Sequence, residues 1–208
     1  MNPRFILLGL SALLSGCIIF DKKSEAVTFH QLVAPAAATT RATPILYVPR
    51  AILPAALRRP NIVILDDNGW VRVDDAHRWV APLDRAVAEA VARHLTAQTG
   101  LPAVCQAPAE DHLVLLVTVD KMEAFEPTAA GRSLFALPGT AANNDTAIMQ
   151  VSYRLETAAG TLLSGHTLTR SHPLKDRSPA EFVLSQSANL AAISADIAKL
   201  IPNASPTK

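Results

Sequence analysis

The stretch HLVLLVTVD, residues 112–120, restricts the fold more than any other in the chain. Its apolar letters run almost without interruption, so a strand built from it is apolar on both faces, the pattern of a buried central strand. Residues 149–156, MQVSYRLE, carry the complementary pattern. Met149, Val151, Tyr153 and Leu155 alternate with Gln150, Ser152, Arg154 and Glu156, which sets one face on a core and the other in water. A turn at 158–160 leads into a partner strand at 161–170 with poorer alternation.

Two segments read as helices. In APLDRAVAEAVARHLTAQT, residues 81–99, Leu83, Val87, Val91 and Leu95 recur every four residues, with Ala90 and His94 filling the stripe. Pro82 suits a first turn, where no backbone donor is needed, and Gly100 stops the helix. The second helix starts at Ser178-Pro179-Ala180-Glu181, with Ser at N-cap, Pro at N1 and Glu at N3 of a capping box. Phe182, Leu190, Ile193, Ile197, Leu200 and Ile201 form its apolar stripe, and Pro202 ends it.

The N-terminal half reads as short strands. Residues 27–34, VTFHQLVA, form a first strand with Val27, Phe29 and Gln31 on one face, and residues 45–48 form a second, closed by Pro49. PAALRRP, residues 54–60, lies between two prolines and suits a turn or a single helical turn. Residues 62–65 and 70–73 flank Asp66-Asp67-Asn68-Gly69, and Asn-Gly is the strongest short-range hairpin signal because both residues tolerate positive φ. Residues 128–144, rich in Gly, Pro and Asn, read as a long loop.

Before the first strand stands a ten-residue apolar run, residues 5–14, preceded by Arg4. It is too short for a bilayer core, which takes about 20 residues, and fits the h-region of a secretory signal. Leu14-Ser15-Gly16-Cys17 follows it and resembles the lipobox of bacterial lipoproteins. That resemblance implies a diacylglycerol thioether on Cys17, cleavage before it, and acylation (palmitate) of the new amino group. Ile18 rather than Asp follows, so the inner-membrane retention signal of enteric lipoproteins is absent. Removal of residues 1–16 takes away Arg4 and no acid, which leaves 18 basic and 18 acidic residues and no charge bias toward nucleic acid. With Cys17 acylated, Cys105 has no partner in the chain and reads as a small buried or half-buried residue. The 192 residues that remain suffice for one domain stabilised by its core.

Catalytic and metal-binding signatures are missing. The chain contains no G-x-S-x-G, no G-x-x-x-x-G-K-[ST] and no H-E-x-x-H. His166 and His172 share a strand face but lie about 20 Å apart, too far for one metal. Ser164 and His166, neighbours at i and i+2, stand roughly 7 Å apart, beyond hydrogen-bond reach. Asp66-Asp67 with Asn68 suit a turn, and Asp74-Asp75 read as preceding a helix, better than either pair suits a cation site. Trp79 and Leu83 read as core, with Arg78 facing solvent or a partner. No cofactor, metal or catalytic residue is expected, and the chain reads as no enzyme.

Several short motifs together resemble the ABC-type transport auxiliary lipoproteins, the PqiC-like components of intermembrane transport systems. They are the lipobox, Phe29-His30-Gln31-Leu32-Val33-Ala34-Pro35, RRPNIV from Arg58 to Val63, VDKMEAF from Val119 to Phe125, and MQVSYRLE. The family's Arg-Trp-Ala-Glu-Pro-Leu corresponds to Arg78-Trp79-Val80-Ala81-Pro82-Leu83, with Ala81 where an acid is usual. The resemblance implies a single α/β domain, with a mixed sheet of about five strands plus a β-hairpin and two main helices packed on the sheet. It implies a signal peptide at 1–16, a lipidated tether at 17–26, the domain at 27–202 and a tail at 203–208. It also implies a homo-oligomeric, non-enzymatic lipoprotein on the periplasmic face of the outer membrane. Such a protein serves an MCE-domain partner in moving lipids or other apolar molecules. Arg58, Arg59, Arg78 and Trp79 are the candidate partner-binding residues. The residues alone leave open an interaction lipoprotein of another class, such as an envelope-assembly or cell-wall-synthase activator.

Overall fold

The computed structural model describes residues 26–37, 42–65, 71–124, 146–176 and 178–201. The lipobox, the Asn68-Gly69 turn and the 128–144 loop lie outside them.

Two sheets carry the fold. The larger has the order β5-β2-β6-β7-β8, from Ala103–Val104, Ile45–Tyr47, His112–Ala124, Thr146–Thr157 and Leu162–Pro173. β2 pairs parallel with both β5 and β6, and β6, β7 and β8 form an antiparallel meander. The smaller sheet has the order β1-β4-β3, from Thr28–His30, Val71–Trp79 and Asn61–Leu65. The expected hairpin is β3–β4, whose antiparallel ladder runs from Ile62↔Asp74 to Leu65↔Val71. It does not stand alone, because β1 joins β4 in parallel from Thr28↔His77 to His30↔Trp79.

The long strand β6 occupies the centre of its sheet, as its composition requires. Only one face is fully buried, however: Leu115, Val117 and Val119 are sealed, while Val114, Leu116 and Thr118 are half-covered. On β7, Met149, Val151, Tyr153 and Leu155 all point into the core, as the alternation predicts.

Helix α1 spans Leu83–Thr99 and helix α2 Pro179–Ala198; they pack against each other, and α2 lies on β7 and β8. The α1 stripe Leu83, Val87, Val91 and Leu95 is buried, with Ala90 and His94 beside it. The helix starts two residues later than the sequence suggests. Pro82 keeps an extended ψ of 128° and so precedes the helix, while its carbonyl accepts the Arg85 and Ala86 N–H groups. Gly100 ends α1 at φ 72°, a conformation that favours glycine. No described helix is long and apolar enough to cross a membrane.

At the start of α2 only half of the capping box forms. Ser178 Oγ accepts the Glu181 N–H at 3.1 Å. The Ser178 N–H turns instead to Asp176 at 2.8 Å, and Glu181 takes the Lys175 N–H at 3.2 Å. Ser178→Ala therefore removes one cap bond and is expected to lower stability by about 1 kcal/mol, or about 2–4 °C in Tm by thermal melting.

Candidate functional site

A groove of about 710 Å³ opens between two stretches of chain, residues 50–60 and residues 79–84. Hydrogen bonds from three directions fix its walls. Ile52 extends the sheet, donating its N–H to Val117 O and accepting that of Val119, each at 2.9 Å. The chain then turns through the Ala55–Leu57 3₁₀ turn between Pro54 and Pro60, as the proline bracket predicts. The Trp79 N–H donates to Pro60 O at 2.7 Å, tying the end of β4 to this turn, and the Val80 N–H donates to His30 O at 2.9 Å. The Ala51 N–H reaches Asp84 O in the first turn of α1.

The lining is apolar below and cationic at the edge. Trp79 is only 6% exposed and belongs to the core under the groove, with Leu83. Ile52 at 56% and Val80 at 57% expose their side chains to solvent. Arg50, Arg58 and Arg59 are exposed around them, against a single lining acid, Asp84, which lies 3.5 Å from Arg50. Arg58 is held in place by a 2.9 Å bond from its Nε to Leu53 O.

Of the four candidate partner-binding residues, the fold brings Arg58, Arg59 and Trp79 together and leaves Arg78 apart. Arg78 sits mid-sheet, paired with Phe29 on one side and Asn61 on the other, half-buried, and its Nε has no hydrogen-bond partner among the described residues. Sequence reasoning missed Arg50 and Ile52. The exposed apolar Ile52 between a basic residue and a proline-bracketed turn was the only local sign of them. Ala81 lines the groove, so no carboxylate stands at this position beside the arginines.

The remaining candidates stand separately. Cys105 is exposed just after β5, not buried, because the two-residue strand ends at Val104 and the chain leaves the sheet. Its thiol titrates above the ordinary value, through partial desolvation first and then Glu89. Ser164 Oγ lies 3.4 Å from the Tyr153 hydroxyl, and the His166 ring stands 6.1 Å from the Tyr153 ring. His172 is exposed opposite Ala147. Asp74 lies within β4, where its carboxylate accepts the Ala76 and His77 N–H groups. Among the described residues no three His, Cys, Asp or Glu side chains come together to hold a metal.

The family described as the ABC-type transport auxiliary lipoprotein component matches residues 29–198. The chain belongs to this family. As one of its members the chain is an envelope lipoprotein auxiliary to ABC-type transport. No curated protein matches it. Among solved structures, an uncharacterized protein superposes with a TM-score of 0.64 at 19% identity, over 85% of this chain and 99% of its own. A protein from Xanthomonas campestris gives 0.60 at 16% identity, over 82% of this chain and 92% of its own. These likenesses show the fold alone.

Proposed function

We propose that this auxiliary lipoprotein is held by an acylated Cys17 on the periplasmic face of the outer membrane. There it serves, as a homo-oligomer, an ABC/MCE-type system that moves lipids or other apolar molecules across the periplasm. It works by binding and contributes no catalytic group. The groove is its contact with the MCE-domain partner, and one observation carries that reading: three guanidinium groups surround two exposed aliphatic side chains, with one acid among them. Such a lining complements a segment that presents a carboxylate beside an apolar side chain, the pairing by which charged rims select partners. Alanine at position 81 strengthens the match, since a carboxylate there would neutralise one of the arginines.

The double variant Arg58→Glu, Arg59→Glu tests the assignment. Both side chains are exposed and the main structural loss is the Arg58 bond to Leu53 O, so Tm should fall by no more than about 4 °C. Recovery of the MCE-domain protein from solubilised membranes should fall about tenfold or more, because attraction at two positions becomes repulsion. Unchanged recovery would remove the groove from the interface. Recovery of cell-wall enzymes alone, by the wild-type chain, would overturn the functional reading.

A further inference from the structure

We propose that segment 28–33, by which the chain enters its domain, is a clasp that two imidazoles close at neutral pH and release in mild acid. At one end, the His30 ring packs against His77, with centroids 5.3 Å apart, and His77 Nδ1 lies 2.9 Å from Asp74 Oδ1. His30 Nε2 is buried and has no hydrogen-bond partner among the described residues. At the other end, the buried His94 of α1 faces the backbone of Val33. The Val33 N–H donates to Ser187 Oγ of α2 at 3.0 Å.

Beyond these, the segment is held mainly by its short ladder to β4 and by the Val80 N–H bond to His30 O. β1 is three residues long, Phe29 on it is 61% exposed, and Leu32 is the segment's one fully buried side chain. Releasing such a short edge strand sacrifices few contacts, so it belongs to the low-stability end of the fold.

The charged groups around it set the sign. From β4, His77 and Asp74 face His30, while Arg78 is the ladder partner of Phe29. From α1, Glu89 and Arg93 line a small cleft with Gln31 and Leu32, and Glu89 is paired with Arg85. From α2 the contact is the uncharged Ser187. Burial, then His77, lowers the His30 pKa below 6.5 against the opposing pull of Asp74. Burial likewise lowers that of His94, against the Val33 carbonyl. A histidine with a lowered native pKa favours the folded state when neutral. Its contribution is complete above 6.5 and is lost as pH falls from there toward the native value. Both imidazoles therefore weaken the clasp on acidification. Where the Cys17 anchor holds, opening adds six residues to the tether, about 20 Å of extra reach.

Hydrogen exchange on the full-length chain, corrected for intrinsic rates, reads the opening directly. Between pH 7.5 and 5.5, protection of the 28–33 peptide should fall about tenfold, while β7 stays protected. His30→Gln should remove a large part of that change, and His30→Gln with His94→Gln should flatten it. If the double variant does not fold, the single one decides. Constant protection in the wild type, or a full pH response in His30→Gln, would overturn the clasp. Exchange does not depend on acylation, so a failed anchor, visible in the mass of the mature N-terminus, is a separate result.

Discussion

Replacing Gln186 by leucine should lower the unfolding free energy by about 3 kcal/mol and Tm by about 6–12 °C. Gln186 is fully buried in α2, on the side that lies against β7. Its Nε2 donates to Glu123 O at 2.9 Å and to Ile148 O at 3.1 Å. Those two residues are direct partners in the β6–β7 ladder, so one amide fastens the helix to both strands at once. Asn189, one turn on, donates to Ala147 O at 2.8 Å and to Gln186 Oε1 at 3.3 Å. Leucine matches glutamine in size, so little cavity forms. The loss comes from carbonyls and an Asn189 donor left without their amide in the core, each worth about 1–3 kcal/mol. Ser194→Ala is the contrast. Ser194 is equally buried but bonds only Leu190 O in its own helix, so its loss should cost about 1 kcal/mol. Urea melts of the two variants check the difference; equal effects would mean that the amide pair fastens nothing.

Cys17→Ala should abolish anchoring altogether. In the proposed anchoring the Cys17 thiol takes the diacylglycerol as a thioether, and alanine has no sulfur to carry it. The variant should stay at precursor length, 16 residues longer than the processed chain, and carry no palmitate label. Intact mass and metabolic labelling read both. Normal processing of Cys17→Ala would refute the anchor and the outer-membrane placement with it. The domain itself should be indifferent to the change, because its described core begins at Leu32.

Much of the fold was legible because its strongest signals are local. The Leu83–Leu95 stripe, the Met149–Leu155 alternation and Ser178 before Pro179 each specify an element within one or two turns of chain. What was hidden is non-local. Nothing in Thr28–His30 announces that it pairs in parallel with β4, nearly fifty residues away, because parallel partners share no turn. Gln186 and Asn189 stand on the buried side of α2, among Phe182, Leu190 and Ile193, and their polar letters hide that place. A glutamine four residues after Phe182 and an asparagine seven after it were the available sign of buried amides. The groove follows the same rule. Arg58, Arg59 and Trp79 stood out as short motifs, but the site exists only where their segments meet Arg50 and Ile52, which a separate piece of chain supplies. Cys105 misled for a similar reason: a cysteine without a disulfide partner reads as a small buried residue, and the early end of β5 exposes it.

A photocrosslinker at Ile52 tests the central claim most directly. Ile52 lies in the groove, and Gln98, exposed near the other end of α1, is roughly 21 Å along the helix from Asp84. In living cells, p-benzoylphenylalanine at position 52 should give an adduct with an MCE-domain protein, absent at position 98 and lost in the Arg58→Glu, Arg59→Glu background. Equal adducts at 52 and 98, or adducts at 52 with cell-wall synthases and no MCE-domain protein, would contradict the account.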